Sequence, residues 1–202
     1  MSGFFDQEID EEVLSACRAG ESGAQGRLYE VFAAPVFTLA LRVTGSRALA
    51  DEVVQDTFVE VLTKIHQYRG EAPIGAWIRR IAVNKGLGQL RSPWFRRGQE
   101  LHTDVRQQDV DHSVNLDLET SLMRLSTMAR AVLWLHDVEG YTHKEIGGFM
   151  GKTASFSKSQ LSRAHQRLQN WAQDELAATA EVAPNLAKEK LDEESCIPAL
   201  NN

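Results

Sequence analysis

The sequence predicts an all-α protein made of two small helical domains joined by a flexible linker, and three observations support this. Apolar residues recur at spacings of three and four in residues 26–90 and again beyond residue 116, which is the period of amphipathic helices. The segment between them, 94–116, is polar and has little apolar periodicity. A hydrophobic content of 43% is typical of a chain that packs cores.

Three helices are predicted in the first domain, residues 8–93. The first spans about residues 26–43, and Pro35 can kink or break it. The second spans about residues 48–68; Ser46 can cap it, and an apolar stripe lies opposite an acidic and amide-bearing face. After a glycine- and proline-containing loop, a third helix runs from about residue 76 to residue 90.

Two short helices joined by a glycine turn are the main feature of the second predicted domain. Thr142 and Glu145 match the capping box that starts a helix, and Ser157 and Gln160 match the same spacing at the next helix. Gly151 can adopt the positive φ of the turn between them. This arrangement predicts a helix-turn-helix, although an ordinary helical hairpin with a solvated basic face would give the same pattern.

Segment boundaries follow from composition. The linker is predicted at 94–116, the second domain at 117–172 and an acidic tail at 173–202. The tail is rich in Ala, Glu and Lys with few large apolar residues, so we expect it to be mobile even where it is partly helical.

Charge is segregated along the chain. The formal net charge of −6 argues against a free-standing nucleic-acid binder, whose domain is usually basic. Residues 69–97, however, contain seven cations and a single acid, Glu71, and residues 152–167 contain no acid at all. We therefore expect two anion-binding patches in a chain that does not bind polyanions indiscriminately.

Cysteine usage and the N-terminus suggest a compartment. Cys17 and Cys196 are the only cysteines, and neither lies in a CxxC or Cys/His cluster, so the sequence predicts no metal site and no cofactor. The N-terminus carries acids where a secretory signal has cations, and no stretch approaches the roughly 20 apolar residues of a membrane span. We expect a cytoplasmic protein without direct membrane insertion.

Two stretches together resemble a known family. ADEVVQDTFVEVLTKIHQYRGEAPIGAWIRRIAVN (50–84) is similar to region 2 of the extracytoplasmic-function sigma factors of the sigma-70 family, and EGYTHKEIGGFMG with the following SKSQLSRAHQRL is similar to their region 4. The resemblance covers about residues 24–171. It implies a bacterial subunit that binds core RNA polymerase, recognises the −35 and −10 elements of promoter DNA and helps to open the duplex. It also implies an anti-sigma factor, often membrane-anchored, as a partner.

This resemblance, together with the neighbouring cations and the outward face of the second helix, assigns three sets of residues. The polymerase-binding set, whose acidic and amide groups suit a basic protein partner and repel DNA, is Asp51, Glu52, Gln55 and Asp56. The −10 set is Tyr68, Trp77, Arg79, Arg80, Asn84 and Lys85. The −35 set is Phe156, Lys158, Ser159, Gln160, Arg163 and Arg167.

The residue types in the two DNA-binding sets fit their implied roles. An unstacked base gains about 1–3 kcal/mol on an aromatic ring, while cations hold the backbone of a separated strand. Arg80 and Asn84 are i, i+4 neighbours on a helix and so face the same strand. In a major groove, Gln and Arg pair with base edges. Trp77 can instead belong to the core together with Ile78 and Ile81.

Several positions depart from the family pattern. The family often has aromatic residues at the positions of Ile74 and Arg79 and an acid near Gly88, so this chain offers fewer rings for stacking. In the second domain the family usually has a small polar residue followed by an aliphatic one, where this chain has Phe156 and Ser157. Helical phase puts Ser157 toward the core and Phe156 outward.

Other functions remain open at this point. A stand-alone helix-turn-helix regulator and a sigma-like mimic that binds partners without initiating transcription both fit parts of the pattern. An enzyme has little support, because His136 and His143 near Asp137 and Glu139 suit no common ligand motif.

Overall fold

A computed structural model of the protein describes residues 4–5, 7–92 and 118–194, and within these ranges the chain is helical with short turns and no strand. The helices are α1 (Glu11–Arg18), α2 (Ser22–Thr44), α3 (Arg47–Lys64), α4 (Ile74–Arg91), α5 (Leu118–Arg124), α6 (Thr127–Leu133), α7 (His143–Met150) and α8 (Ala154–Glu194). A 3-10 turn, Ile65–Gln67, follows α3, and a π-helical turn, Trp134–Val138, follows α6. The all-α prediction is confirmed.

Helices α2, α3 and α4 pack against each other around a core that includes fully buried Phe32, Val61 and Ile78. Pro35 lies inside α2 without breaking it. The helix ends at Gly45, whose φ of 71° is the left-handed conformation that glycine adopts at low cost. The Ser46 side chain then accepts a hydrogen bond from an amide in the first turn of α3, which confirms the predicted cap.

Helices α5 to α8 form the second helical unit, and α2 to α4 belong to the first. The second unit contains the predicted hairpin of α7 and α8. The Thr142–Glu145 capping box is present in full, and Gly151 has a φ of 64° at the turn. The predicted box at Ser157 and Gln160 is wrong. The Thr153 hydroxyl accepts from the Phe156 amide, so α8 begins four residues earlier, and Ser157 is buried inside the helix.

The predicted linker, 94–116, lies outside the described residues, and so do residues 195–202. The tail as far as Glu194 continues α8, which is 41 residues long. Its expected mobility and the predicted domain limits stay predictions. No helix in the described part of the chain is long and apolar enough to cross a membrane.

The two units contact each other directly. Buried Arg130 on α6 donates from Nε to the carbonyl of Arg42, 2.9 Å away in the last turn of α2. A cation at this end of a helix is favoured by the helix dipole. A Cβ atom at Gly45 would collide with Nη2 of Arg130, so the guanidinium of Arg130 lies directly against this glycine.

Candidate functional site

A pocket lies at the loop between the 3-10 turn and α4. Its volume is about 870 Å³, and its walls include Gln67, Tyr68, Glu71, Trp77 and Arg80. The rings of Tyr68 and Trp77 lie 5.7 Å apart at a tilt of 44°. The Tyr68 hydroxyl donates to the carbonyl of Ala72 at 2.6 Å, which holds the loop against the ring. Burial raises the pKa of the Tyr68 phenol above its ordinary value, so this group remains a neutral donor.

Helix α4 positions the remaining members of the −10 set. Trp77 is half-buried: it packs on the hydrophobic core, as the core interpretation expects, and also borders the pocket, while its role in stacking a base stays a prediction. Arg80 and Asn84 are exposed and lie one turn apart. A ring pair and a guanidinium therefore border an open cavity of a size that accepts a nucleotide base.

Two cations of the −10 set are engaged elsewhere. Arg79 Nη1 donates to the carbonyl of Glu139 at 2.7 Å and lies 3.5 Å from Oε2 of the same residue. Lys85 Nζ lies 2.8 Å from Oε2 of Glu60. Hydrogen bonds from Lys64 and then Lys85 hold the pKa of Glu60 below its ordinary value. Whether Arg79 and Lys85 contact DNA stays a prediction.

The acidic face of α3 borders a second cavity. Asp51, Glu52, Gln55 and Asp56 are all exposed. A groove of about 710 Å³ runs between α2 and α3, with Asp51 and Gln55 along one side. The apolar part of its wall is formed by Tyr29, Ala33, Ala34, Phe37, Val54, Phe58, Val59 and Leu62.

Sequence reasoning missed the apolar part of this groove. Tyr29 is 47% exposed and Val59 is 61% exposed, so two large apolar side chains of the same groove face solvent. The available signal was Val59, which lies off the apolar stripe formed by Val54, Phe58 and Val61. An apolar groove edged by carboxylates is suited to an amphipathic, basic protein segment.

Helix α8 carries the −35 set. Lys158, Ser159, Arg163 and Arg167 are exposed and Gln160 is half-buried. Ser157 is fully buried, which confirms its predicted core-side position. Phe156 is half-buried against the core, with Lys152 Nζ 6.0 Å from its ring centre, so it is less outward than expected.

Histidines link the elements that position α8. His143 Nδ1 lies 3.0 Å from the Ser157 hydroxyl, and its ring stacks on His136 at 4.3 Å. Asp137 contacts both His136 and His165, at 2.7 and 2.6 Å. Burial raises the pKa of Asp137, but hydrogen bonds from these two histidines outweigh it and the net pKa is below the ordinary value. Among the described residues, no group of histidine, cysteine and acidic side chains is arranged to hold a metal ion.

Comparisons with known proteins agree with the two-unit architecture. The Sigma-70 region 2 family matches residues 28–96, and the Sigma-70 region 4 family matches residues 115–168. The chain is 28% identical over 158 residues to "ECF RNA polymerase sigma factor SigE" of Mycolicibacterium smegmatis, which covers 73% of this chain and 61% of that protein. It is 29% identical to SigL of Mycobacterium tuberculosis, over 77% of this chain and 92% of SigL. The chain thus spans about three fifths of the length of SigE and nearly all of SigL.

A solved structure shares the fold. The sigma factor RpoE of Bartonella quintana, determined in complex with the anti-sigma factor NepR, aligns with a TM-score of 0.50 and 22% identity, over 73% of this chain and 96% of that one. The two family matches together cover more than half of the chain and occur in the order in which its two helical units occur. The chain therefore belongs to the sigma-70 family of RNA polymerase sigma factors, and the relatives that it resembles are named ECF sigma factors.

Proposed function

We propose that the protein is an alternative bacterial sigma factor that binds core RNA polymerase and directs promoter-specific transcription initiation. The observation that carries the proposal is the loop pocket with Tyr68, Trp77 and Arg80 at its wall. It offers ring surface and positive charge beside a cavity, which is the chemistry of single-strand capture. Its position at the start of α4 falls within the region 2 match.

Two further surfaces complete the function. The groove between α2 and α3, with Asp51 and Gln55 at its edge, docks a basic helical segment of core polymerase. The exposed face of α8, with Lys158, Arg163 and Arg167, enters the major groove at the −35 element. The first surface is assigned to the unit at residues 8–93 and the second to the unit at 117–172. Because core polymerase supplies much of the affinity for DNA, the chain itself can be acidic.

A protein that holds this sigma factor inactive is a further part of the proposal. The RpoE structure contains the anti-sigma factor NepR, and we infer a partner of the same class for this chain. Both core polymerase and promoter DNA are cytoplasmic in bacteria, so the proposed function places the chain there.

Run-off transcription tests the proposal directly. Core polymerase reconstituted with the chain is used to select promoters from random DNA, and selected templates are then transcribed with core alone, with the chain alone and with both. We expect discrete transcripts only when both are present. A strong shift of the selected DNA by the chain alone would favour a stand-alone regulator. Polymerase binding without any specific transcript would instead identify a mimic.

A further inference from the structure

A groove opens in the second unit between the start of α7 and one side of α8. Its volume is about 590 Å³, and among the described residues that line it, none is acidic. We call it the His143 groove. Its polar wall consists of basic, hydroxyl and amide side chains: His143, Lys158, Ser162, His165, Gln166 and Gln169. All of these groups can donate hydrogen bonds, which is the chemistry of an anion-binding site.

A residue that departs from the family pattern holds His143 in place. Ser157 stands where the family usually has an aliphatic side chain, and it is fully buried. A buried hydroxyl needs a hydrogen-bond partner, and His143 Nδ1 lies 3.0 Å from it across the turn between α7 and α8. Nε2 of His143 has no partner among the described residues. The ring is thus anchored through one nitrogen and offers the other to a ligand.

Charged and titratable groups face His143 from the elements packed against it. His136 and Asp137 lie in the π-helical turn before α7, and the ring of His136 stacks on that of His143 at 4.3 Å. Lys158 faces it from α8. Burial, followed by the charges of His136 and Lys158, holds the pKa of His143 below its ordinary value and outweighs the opposite effect of Asp137. At neutral pH the ring is therefore mostly uncharged in the free protein, and an anion in the groove favours its charged form.

Helical phase places the His143 groove beside the predicted base-reading face of α8. Consecutive residues on an α-helix are about 100° apart, so Ser162 and Gln166 project roughly a quarter-turn away from Arg163 and Arg167. In a helix-turn-helix the first helix crosses the DNA backbone while the second lies in the major groove. Here α7 is the first of the two helices, and His143 is its first residue. The groove is therefore positioned to meet a backbone phosphate next to the bases that we expect Arg163 and Arg167 to contact.

We propose that the His143 groove binds a phosphate of the DNA backbone beside the −35 element, and that protonated His143 makes part of this contact, so that promoter binding strengthens as the pH falls. The inference rests on the proposed function, to which it adds a dependence on pH. Lys158, which has no acidic partner among the described residues, supplies a cation at every pH near neutrality. His143 supplies the charge that depends on pH, and Ser162 and Gln166 supply neutral donors.

The direction of the pH dependence follows from the protonation equilibrium. A bound phosphate raises the pKa of His143, so the DNA complex carries a proton at pH values where the free protein does not. Affinity is therefore higher at pH 6 than at pH 8, where His143 is neutral in both states. A pKa raised by one corresponds to a change in affinity of about tenfold. Because the groove is open to solvent, we expect an effect of about three- to fivefold.

Imidazole titration by NMR tests the site without polymerase. The full chain, labelled on histidine, is titrated at low salt alone and with a DNA duplex of unrelated sequence, because a phosphate contact does not depend on base sequence. The His143→Asn variant assigns the His143 signal. We expect the duplex to raise the pKa of His143 by about 0.5, a threefold change in the ratio of charged to neutral rings. An unchanged pKa of His143 in the presence of the duplex would overturn the inference.

Promoter binding by the holoenzyme measures the same contact in transcription. The unchanged protein should bind selected promoter DNA about three- to fivefold more tightly at pH 6 than at pH 8. His143→Asn should lose this gain, because its amide can keep the hydrogen bond to Ser157 but carries no charge. His143→Gln, a second uncharged variant, should behave in the same way. The control is His112→Asn in the predicted linker, which removes another histidine and should keep the gain.

Salt dependence distinguishes a phosphate contact from a structural role of His143. The logarithm of the affinity should fall more steeply with the logarithm of salt concentration at pH 6 than at pH 8, by about 0.9, because one more cation displaces a counterion. A pH dependence or a salt slope that is the same in the unchanged protein and in both His143 variants would overturn the inference and leave the proposed function standing. If the holoenzyme makes no promoter-specific transcript, the proposed function fails, whereas a pKa of His143 raised by the duplex still supports the phosphate site.

Discussion

The helices α3 and α4 lie side by side in the first unit and present opposite charge in different ways. On α3, Asp51, Gln55 and Asp56 are exposed along the edge of an apolar groove. On α4, the charges are divided: Arg80 is exposed, whereas Arg79 donates to Glu139 in the second unit and Lys85 lies 2.8 Å from Glu60.

This difference separates two uses of surface charge. Exposed carboxylates along a groove attract and orient a basic partner without first breaking any contact. Cations held by acids of the same chain are neutralised until that contact opens, which weakens unspecific attraction to DNA. The acidic face is thus ready for a protein partner, and only part of the basic face is ready for nucleic acid.

Reversal of charge on the acidic face should give the largest effect. Asp56→Arg places a cation opposite a basic partner, and like charges across an interface cost several kcal/mol. We expect affinity for core polymerase to fall by roughly a hundredfold, about 3 kcal/mol. The measurement is a binding titration with labelled core polymerase. Asp174→Arg, the same change at an exposed position of α8, is the control. Equal affinity of the two variants would refute the docking role of α3.

Loss of the exposed cation on α4 should have a smaller and different effect. Arg80→Ala removes one contact to the backbone of the separated strand, and a hydrogen bond to a charged group contributes about 1.5–3 kcal/mol. We expect open-complex formation to fall at least about tenfold, and its dependence on salt to weaken by about one ion. Polymerase binding should not change. Permanganate footprinting of the melted promoter measures the effect, with exposed Arg27→Ala on α2 as the control.

The sequence predicts the start of α3, the start of α7 and the turn after α7 well because the signals for them are local. Ser46, the Thr142–Glu145 box and Gly151 all act within one turn, and all three predictions are confirmed. The prediction of a capping box at Ser157 was wrong because two local signals compete there. Thr153 offers a competing cap four residues earlier, and the spacing of residues alone does not decide between two candidates.

The residue types of the candidate sites could be predicted from the sequence. Which of these side chains are already engaged in contacts within the protein could not. Nothing near Arg79 in sequence indicates Glu139, 60 residues away, or the ring of Phe5. The link from His165 to Asp137 likewise joins residues 28 apart. Such contacts depend on how the two units and the N-terminal residues pack, which a helical period does not encode. The family resemblance predicts the polymerase-binding and DNA-binding roles of these residues, and packing determines which of their side chains remain exposed.

The carboxylate of Glu145 in the Thr142–Glu145 capping box stabilises a helix and has no proposed binding role. Thr142→Ala should lower the free energy of unfolding by about 1 kcal/mol, because one helix amide loses its acceptor. Thr142→Ser should keep the free energy of unfolding unchanged, because serine also has a hydroxyl acceptor. Hydrogen bonds from the Thr142 side chain and backbone hold the pKa of Glu145 below its ordinary value. The stability that comes from the bonds between Thr142 and the Glu145 carboxylate is therefore present above the unfolded pKa of Glu145, about 4.3. It is lost as the pH falls through the lower pKa of Glu145 in the folded protein. Urea unfolding at pH 7 and pH 3 should show the difference between variant and unchanged protein shrinking in acid.

The smallest expected effect comes from releasing a partnered cation. Glu60→Gln removes the carboxylate beside Lys85, and a half-buried ion pair that solvent still reaches contributes only about 0–1 kcal/mol. Freed Lys85 should raise the affinity of the holoenzyme for promoter DNA about two- to threefold at low salt. The gain should vanish near 0.3 M salt, where charges are screened within a few ångströms. Glu30→Gln, which removes an exposed acid on α2, controls for net charge. Adding Lys85→Ala to Glu60→Gln should cancel the gain. Equal affinity of Glu60→Gln and Glu30→Gln for promoter DNA, or a gain that persists without Lys85, would show that the ion pair does not restrain this cation. The difference between α3 and α4 would then be a difference in total charge only.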